Sequence, residues 1–137
     1  GSVLADHMQA AGFVVKQEVM DWGTVLARRA KKEGWGLFPV YSNGIDMDSP
    51  LTHFYVANTC ADYPGWSCDA GMVKLLEDFA AAPDMAARRK VADAIQAAAY
   101  DLTPSVMWGQ FARPAGYRKR LQGMIVSAFP MFWRVGV

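Results

Sequence analysis

The chain has little of several features that usually reveal function. Its 137 residues include two histidines and two cysteines, and 14 basic against 13 acidic residues leave a net charge of +1. Nucleic acid and anionic membranes attract proteins through excess positive charge, so this balance supports neither partner. No apolar run approaches the length of about 18 residues that a membrane span needs. The 53% of apolar residues suffices for the core of one domain.

Common catalytic signatures are missing too. The sequence contains no glycine-rich phosphate loop, no H-E-x-x-H and no G-x-S-x-G. His7 and His53 each lack a second ligand at metal-binding spacing, so both are interpreted as ordinary surface or core histidines. We therefore expect no enzyme activity, no cofactor and no metal site.

The two cysteines bound the stretch C-A-D-Y-P-G-W-S-C, residues 60–68. This spacing is not C-x-x-C, and a zinc site would need two further ligands. A metal clip, a redox pair, two buried apolar residues and a disulfide all stay open on these residues alone. A cysteine-dependent enzyme also stays open, because a sequence does not show whether a base lies beside a thiol.

The first part of the chain predicts a helix followed by a strand. Leu4, Met8 and Ala11 share one helical face, and Gly12 follows where a C-terminal cap belongs. The β-branched and apolar stretch 13–20 predicts a strand.

The next part repeats this order. Asp21 can cap a helix over 22–32, which Gly34 ends. Residues 36–42 predict a second strand, and residues 43–69 lack helical periodicity and predict a long loop.

Two helices are predicted in the second half. Apolar residues at i, i+3, i+4 and i+7 mark the first: Met72, Leu75, Leu76 and Phe79. Pro83-Asp84 starts the second, and Thr103-Pro104 stops it. Short aromatic stretches at 106–111, 121–127 and 132–137 then predict strands. The order of elements is typical of an α/β domain.

Asp46 and Asp48 lie in the stretch G-I-D-M-D-S-P. They could be paired carboxylates for acid–base chemistry or for calcium. They could equally be turn residues, because Asp is common before Ser-Pro in loops.

Several stretches resemble the family 5 extracellular solute-binding proteins, which serve ABC importers of dipeptides, oligopeptides and nickel. Residues 3–20, followed by D-W-G-T-V-L-A-R-R-A-K, are similar to that family's L-x-x-x-G-h-x-V-x-x-x-x-x-D-W pattern, where h is apolar. Met8 stands at the Leu position. The remaining pattern positions are kept at Gly12, Val15, Asp21 and Trp22. Residues 84–106 and 117–135 resemble the family's later helix and its closing segment, in the same order.

The resemblance implies one lobe of a two-lobed periplasmic binding protein of type II-like architecture, with a mixed sheet flanked by helices. Residues 3–137 would be the C-terminal ligand-binding lobe of a longer chain. Gly1-Ser2 resembles the scar left when an expression tag is removed.

The function implied by the resemblance is solute capture for an ABC importer, in the periplasm or on the extracellular face of the membrane. A peptide or related amine-bearing ligand would bind between two lobes that close about a hinge. The implied partners are that ligand, the N-terminal lobe of the same chain and a membrane-embedded ABC permease. A stand-alone protein-interaction domain with an aromatic surface is the alternative.

In peptide-binding members, an Asp four residues before a Pro pairs with the ligand's α-ammonium. Asp46 and Pro50 match that spacing. A buried ammonium needs such a carboxylate, because an unpaired ion in a dry cleft is costly. Asp48 is the second candidate. The resemblance implies further ligand contacts from two stretches: Tyr41, Ser42, Asn43, Gly44, Trp108 and Gln110.

Proteins of this family work where disulfides persist, and some carry a disulfide in the corresponding loop. The resemblance therefore implies a Cys60–Cys68 disulfide, with the chain reversal supplied by Tyr63-Pro64-Gly65. Without its N-terminal lobe, the chain is expected to expose apolar surface and to self-associate.

Overall fold

A computed structural model of the chain describes residues 1–112 and 114–136. Its regular elements are helical, in this order: α1 (Ser2–Ala10), α2 (Trp22–Arg29), a 3-10 helix (Gly44–Met47), α3 (Phe54–Ala57), α4 (Ala70–Ala81) and α5 (Met85–Leu102). Two isolated antiparallel bridges, Gln122 with Gly136 and Ile125 with Met131, are the β-structure found in this part of the chain.

Three of the helices begin at an aspartate. Asp21, Asp69 and Asp84 each accept the backbone N–H three residues later, at 3.1, 2.7 and 2.8 Å. Such a bond satisfies a donor that the first helical turn leaves without a partner. The predicted cap at Asp21 is therefore confirmed, and the last helix starts at Asp84 as predicted. The helix after Asp21 ends at Arg29, three residues before its predicted end.

The core lies where α3, α4 and α5 meet. Met72 is 1% exposed and packs with buried Val56 and Ile95. Half-buried apolar residues surround this centre: Leu75, Leu76, Phe79, Val91, Ala98 and Ala99. The predicted apolar stripe of α4 therefore does face a core. The helix α5 ends at Leu102, so Thr103-Pro104 stops it as the sequence predicts. Thr103 itself has the left-handed conformation, with φ +48°.

The predicted α/β fold, a mixed sheet flanked by helices in a type II-like lobe, is wrong. The stretches 13–20, 36–42, 106–111, 121–127 and 132–136 form no sheet in the described part of the chain. Val137, which closes the last of these predictions, lies outside the described residues.

The error has a physical reason. β-propensity reports how well a side chain suits a half-buried pleated surface, so it needs neighbouring strands to act on. In the described part of the chain, the valines of the stretch 13–20 have no neighbouring strand. The side chains of Val14 and Val19 are exposed to solvent. The prediction of a loop over residues 43–69 is also partly wrong, because the 3-10 helix and α3 lie within that range.

An ion pair joins the stretch 13–20 to α2. The Glu18 carboxylate is paired with Lys16 at 2.7 Å and also with Arg28. Hydrogen bonds from Lys16 and then from Arg28 lower the pKa of Glu18 to about 2. The pair lies in solvent, where such contacts add little stability. It therefore orients the stretch rather than holding the fold together.

Much of the chain remains open to solvent. Its accessible surface is 10828 Å². A self-contained monomer of this size is expected to expose about 7,100 Å². Most of the large apolar side chains in contact with water lie outside α4 and α5, and ten of them lie after residue 105. The compact part of the structure is therefore small.

The position of the core predicts that alanine substitutions of two methionines in neighbouring helices change the free energy of unfolding by different amounts. Met72→Ala should lower the free energy of unfolding by about 2–5 kcal/mol, because it leaves a cavity at the centre of the core. Met85→Ala is the matched control, since Met85 is 75% exposed and should change stability by less than about 0.5 kcal/mol. Urea unfolding followed by far-ultraviolet circular dichroism measures both. Equal effects of the two substitutions would contradict this position of the core.

Candidate ligand-binding surface

Asp46 lies in the 3-10 helix Gly44–Met47, which follows the extended residue Asn43. Its backbone N–H donates to the Asn43 carbonyl oxygen at 3.0 Å, and this bond closes the turn. The side chain is exposed. Within the described residues, no lysine, arginine or histidine lies within 4.0 Å of its carboxylate. The carboxylate is therefore open to an incoming cation.

Asp48 differs from Asp46 in having a local partner. The Thr52 hydroxyl lies 3.3 Å from the Asp48 carboxylate and 3.1 Å from the Ser49 carbonyl oxygen, so these two acceptors share one donor. The same hydroxyl accepts the Ser49 N–H at 3.3 Å, so Asp48 belongs to the turn around Pro50. A role in the turn accounts for the presence of Asp48. It does not account for the Asp46 side chain, which makes no such turn contact in the described residues.

A ring contact joins the two stretches that carry the other predicted ligand residues. The rings of Tyr41 and Phe111 meet edge to face, with centroids 5.6 Å apart. Ser42, Asn43 and Gly44 follow Tyr41 and are exposed. The contact places residues 41–44 beside the stretch 106–111.

Trp108 and Gln110 lie on that second stretch and are exposed. In the described part of the chain, no hydrogen bond joins either side chain to Asp46. Sequence reasoning missed Phe111, although it is the last aromatic residue of V-M-W-G-Q-F. The stretch has two aromatic residues, Trp108 and Phe111, and the sequence alone does not show which ring meets Tyr41.

The predicted disulfide is confirmed, with the Cys60 and Cys68 sulfurs 2.06 Å apart. Both cysteines form this disulfide, so neither offers a free thiol as a nucleophile. Within the loop, the backbone N–H of Trp66 donates to the Tyr63 carbonyl oxygen at 2.8 Å, and Gly65 has φ +112°. The tight reversal at Tyr63-Pro64-Gly65 is therefore present, with glycine at the position that needs a positive φ.

The disulfide loop is attached to the segment before the candidate ligand residues. The Trp66 indole N–H donates to Asp62 at 3.0 Å, and the ring lies 5.9 Å from Trp35. Trp35 in turn meets Phe38 edge to face at 4.9 Å. Lys32 stands over the Trp66 ring at 5.3 Å. Stacking and cation–π contacts thus connect the loop to the chain that leads to Tyr41.

A small hollow lies between α3 and the disulfide loop. Its volume is about 20 Å³, room for about one water molecule. Aromatic rings form much of its lining, among them Phe54, Tyr55 and Tyr63. Burial, with a smaller effect of Tyr63, raises the pKa of the Tyr55 phenol. A peptide does not fit in this hollow.

His53 Nδ1 is buried without a hydrogen-bond partner in the described structure, beside the rings of Phe54 and Tyr55. Across residues 1–112 and 114–136, no three His, Cys, Asp or Glu side chains are grouped so as to hold a metal ion. None of the described helices is long and apolar enough to cross a membrane.

One curated relative is similar along nearly the whole chain. It is the probable peptide ABC transporter periplasmic-binding protein y4tO of Sinorhizobium fredii (strain NBRC 101917 / NGR234), 24% identical over 139 residues. The match takes in 97% of this chain but 26% of the relative, so the chain spans about a quarter of that protein's length. No family profile and no solved structure matches the chain. The similarity supports a solute-binding protein family as the class of this chain, without specifying the subfamily or the lobe.

Removal of the disulfide tests its part in the fold. The double variant Cys60→Ser/Cys68→Ser should lower the free energy of unfolding by about 2–3 kcal/mol, because the short loop is no longer closed in the unfolded chain. Urea unfolding compares it with the oxidised protein. The wild type reduced with dithiothreitol should match the variant, which the reductant should leave unchanged. Equal stability of the oxidised protein and the variant would contradict a stabilising role.

Proposed function

We propose that the chain is part of a solute-binding protein that captures a peptide, or a related amine-bearing ligand, for an ABC importer. The similarity to the y4tO protein over 97% of the chain carries this proposal. That relative is named as the periplasmic-binding protein of a peptide transporter. A disulfide is compatible with that compartment, where the redox conditions preserve such bonds.

The proposal assigns the chain to the second lobe of a family 5 binding protein. The ligand would lie between this lobe and an N-terminal lobe, and the closed protein would deliver it to a membrane-embedded permease. Only part of the contacts would come from the described residues. Their exposed position supports this reading, since a residue that meets a ligand and a second lobe must be open before they arrive.

Asp46 is the proposed partner of the ligand's α-ammonium. Its carboxylate is exposed and carries no ion pair within the described chain, so no internal cation competes with the ligand. Closure of the lobes would remove water from the pair and strengthen it. Residues 41–44 and the stretch that includes Trp108 and Gln110 would border the same ligand. They would offer backbone groups that bind a peptide of any sequence.

Asp46→Ala should weaken peptide binding by the full-length protein by about 2–5 kcal/mol, the usual cost of removing one partner of a buried charge pair. Calorimetric titration with tri-alanine measures the effect. Asp48→Ala is the matched control, because its turn partner accounts for that carboxylate, and it should bind normally. The melting temperature without ligand should barely change in either variant.

Acetylation of the peptide's N-terminus removes the ammonium, just as Asp46→Ala removes the carboxylate, so the two changes can be compared. N-acetyl-tri-alanine should bind the wild type as weakly as tri-alanine binds the Asp46→Ala variant. Acetylation should then cost that variant nothing further, since the pair is already lost. Equal affinity of the wild type for the two peptides would remove Asp46 from the ligand contacts.

The isolated chain should bind poorly. Its candidate ligand residues are exposed, so a peptide held by them alone would remain largely in water. Calorimetry of the chain alone with tri-alanine should therefore give no affinity tighter than about millimolar, the range expected with few contacts. Micromolar binding would mean that the site lies wholly within this chain, contrary to a ligand shared by two lobes.

A further inference from the structure

The disulfide loop, residues 60–68, keeps a backbone conformation that two of its residues seldom adopt. Cys60 has φ +61° and Trp66 has φ +45°, in the left-handed region where side chains with a Cβ are crowded. Such residues remain there only when their surroundings impose it. The Cys60–Cys68 bond and the hydrogen bond from the Cys60 N–H to the Ser67 carbonyl oxygen, at 2.8 Å, both close this loop. The disulfide therefore helps to hold a conformation that an open loop would leave.

Trp66 carries the contact between this loop and an earlier segment of the chain. Its ring lies 5.9 Å from the Trp35 ring, with the two planes tilted by 34°. Trp35 is held by its own segment, because its indole N–H donates to the Lys31 carbonyl oxygen at 2.7 Å. Ring contacts are individually weak and depend on how the two partners are positioned. Trp66 therefore stays against Trp35 only while the loop keeps its closed conformation.

The core of the chain is built without this loop. Its buried residues, Val56, Met72 and Ile95, lie on α3, α4 and α5. The cap of α4 is also independent of the covalent ring, since the Asp69 side chain accepts the Met72 N–H at 2.7 Å and follows the second cysteine. Opening of the disulfide should therefore release the loop while the three helices stay packed.

Both cysteines are exposed, so a dithiol reaches their bond in the folded chain. One thiolate of the dithiol attacks a cysteine sulfur, and the Sγ–Sγ bond breaks. The second thiol of the reagent then resolves the mixed disulfide. The protein gains two electrons and two protons as a pair of thiols, and the dithiol becomes a disulfide.

We propose that Cys60–Cys68 is a redox switch. Its reduction by a dithiol releases Trp66 from Trp35, and its reoxidation restores the contact. Every contact that the switch uses lies within residues 31–68. The switch therefore rests neither on the proposed ligand nor on a second lobe.

The two tryptophans supply their own readout. Indole rings this close couple their electronic transitions, and a tilted pair gives an exciton couplet in circular dichroism. Dithiothreitol should remove most of the couplet and leave the helical signal, and glutathione disulfide should bring the couplet back. Trp35→Phe should lack the couplet in both states. Trp22→Phe is the matched control and should behave as the wild type, because the contact of Trp22 is with Arg29.

The rate of reduction shows whether the bond opens in the folded chain. Met72→Ala weakens the core, so it should speed reduction by about ten-fold or more if unfolding has to come first. A switch in the folded chain should be reduced at the same rate, within about two-fold, in the variant and the wild type. Ten-fold acceleration would overturn the proposal. So would an oxidised chain without the couplet, a couplet that survives reduction, or a helical signal that is lost with it.

Discussion

The packing of α4 against α5 is the interaction on which the rest of the structure depends. Met72 and Ile95 bury their side chains there, and Val56 of α3 closes the cluster. Burial of apolar side chains is the main favourable contribution to folding, so stability should be concentrated in this small region. The remaining segments are attached to it by more local contacts. They are correspondingly free to meet a ligand or another chain.

The disulfide extends the influence of that core towards the candidate ligand residues. Cys68 lies next to Asp69, the cap of α4, and the Asp69 N–H donates to Thr59 at 3.1 Å. The loop it closes carries Trp66, which stacks with Trp35. A covalent bond near a helix cap thus fixes an aromatic contact several residues before Tyr41. These aromatic contacts end at Phe38, three residues before Tyr41.

The sequence predicted α1, α2, α4 and α5 because their signals are local, whereas it missed the 3-10 helix and α3 within the predicted loop 43–69. Asp21 and Asp84 announce caps within one helical turn, and the apolar stripe of α4 repeats every three or four residues. Strands were predicted wrongly because pairing depends on distant segments, and Val14 shows a strand-forming side chain with nothing to pair against. Neither the disulfide nor the choice of Asp46 came from spacing; both came from family resemblance. The Tyr41–Phe111 contact was not predictable, because it joins residues far apart in the chain.

The central claim is that residues 41–46 and 106–111 face a bound peptide in an importer's binding protein. Hydrogen–deuterium exchange of the full-length protein, with and without saturating tri-alanine, tests it most directly. The account predicts slower exchange of backbone N–H groups in those two stretches when the peptide is bound, because closure removes them from water. The amides of α5 already lie within a packed helix and should not change. Saturation with peptide that leaves both stretches unprotected would contradict the account.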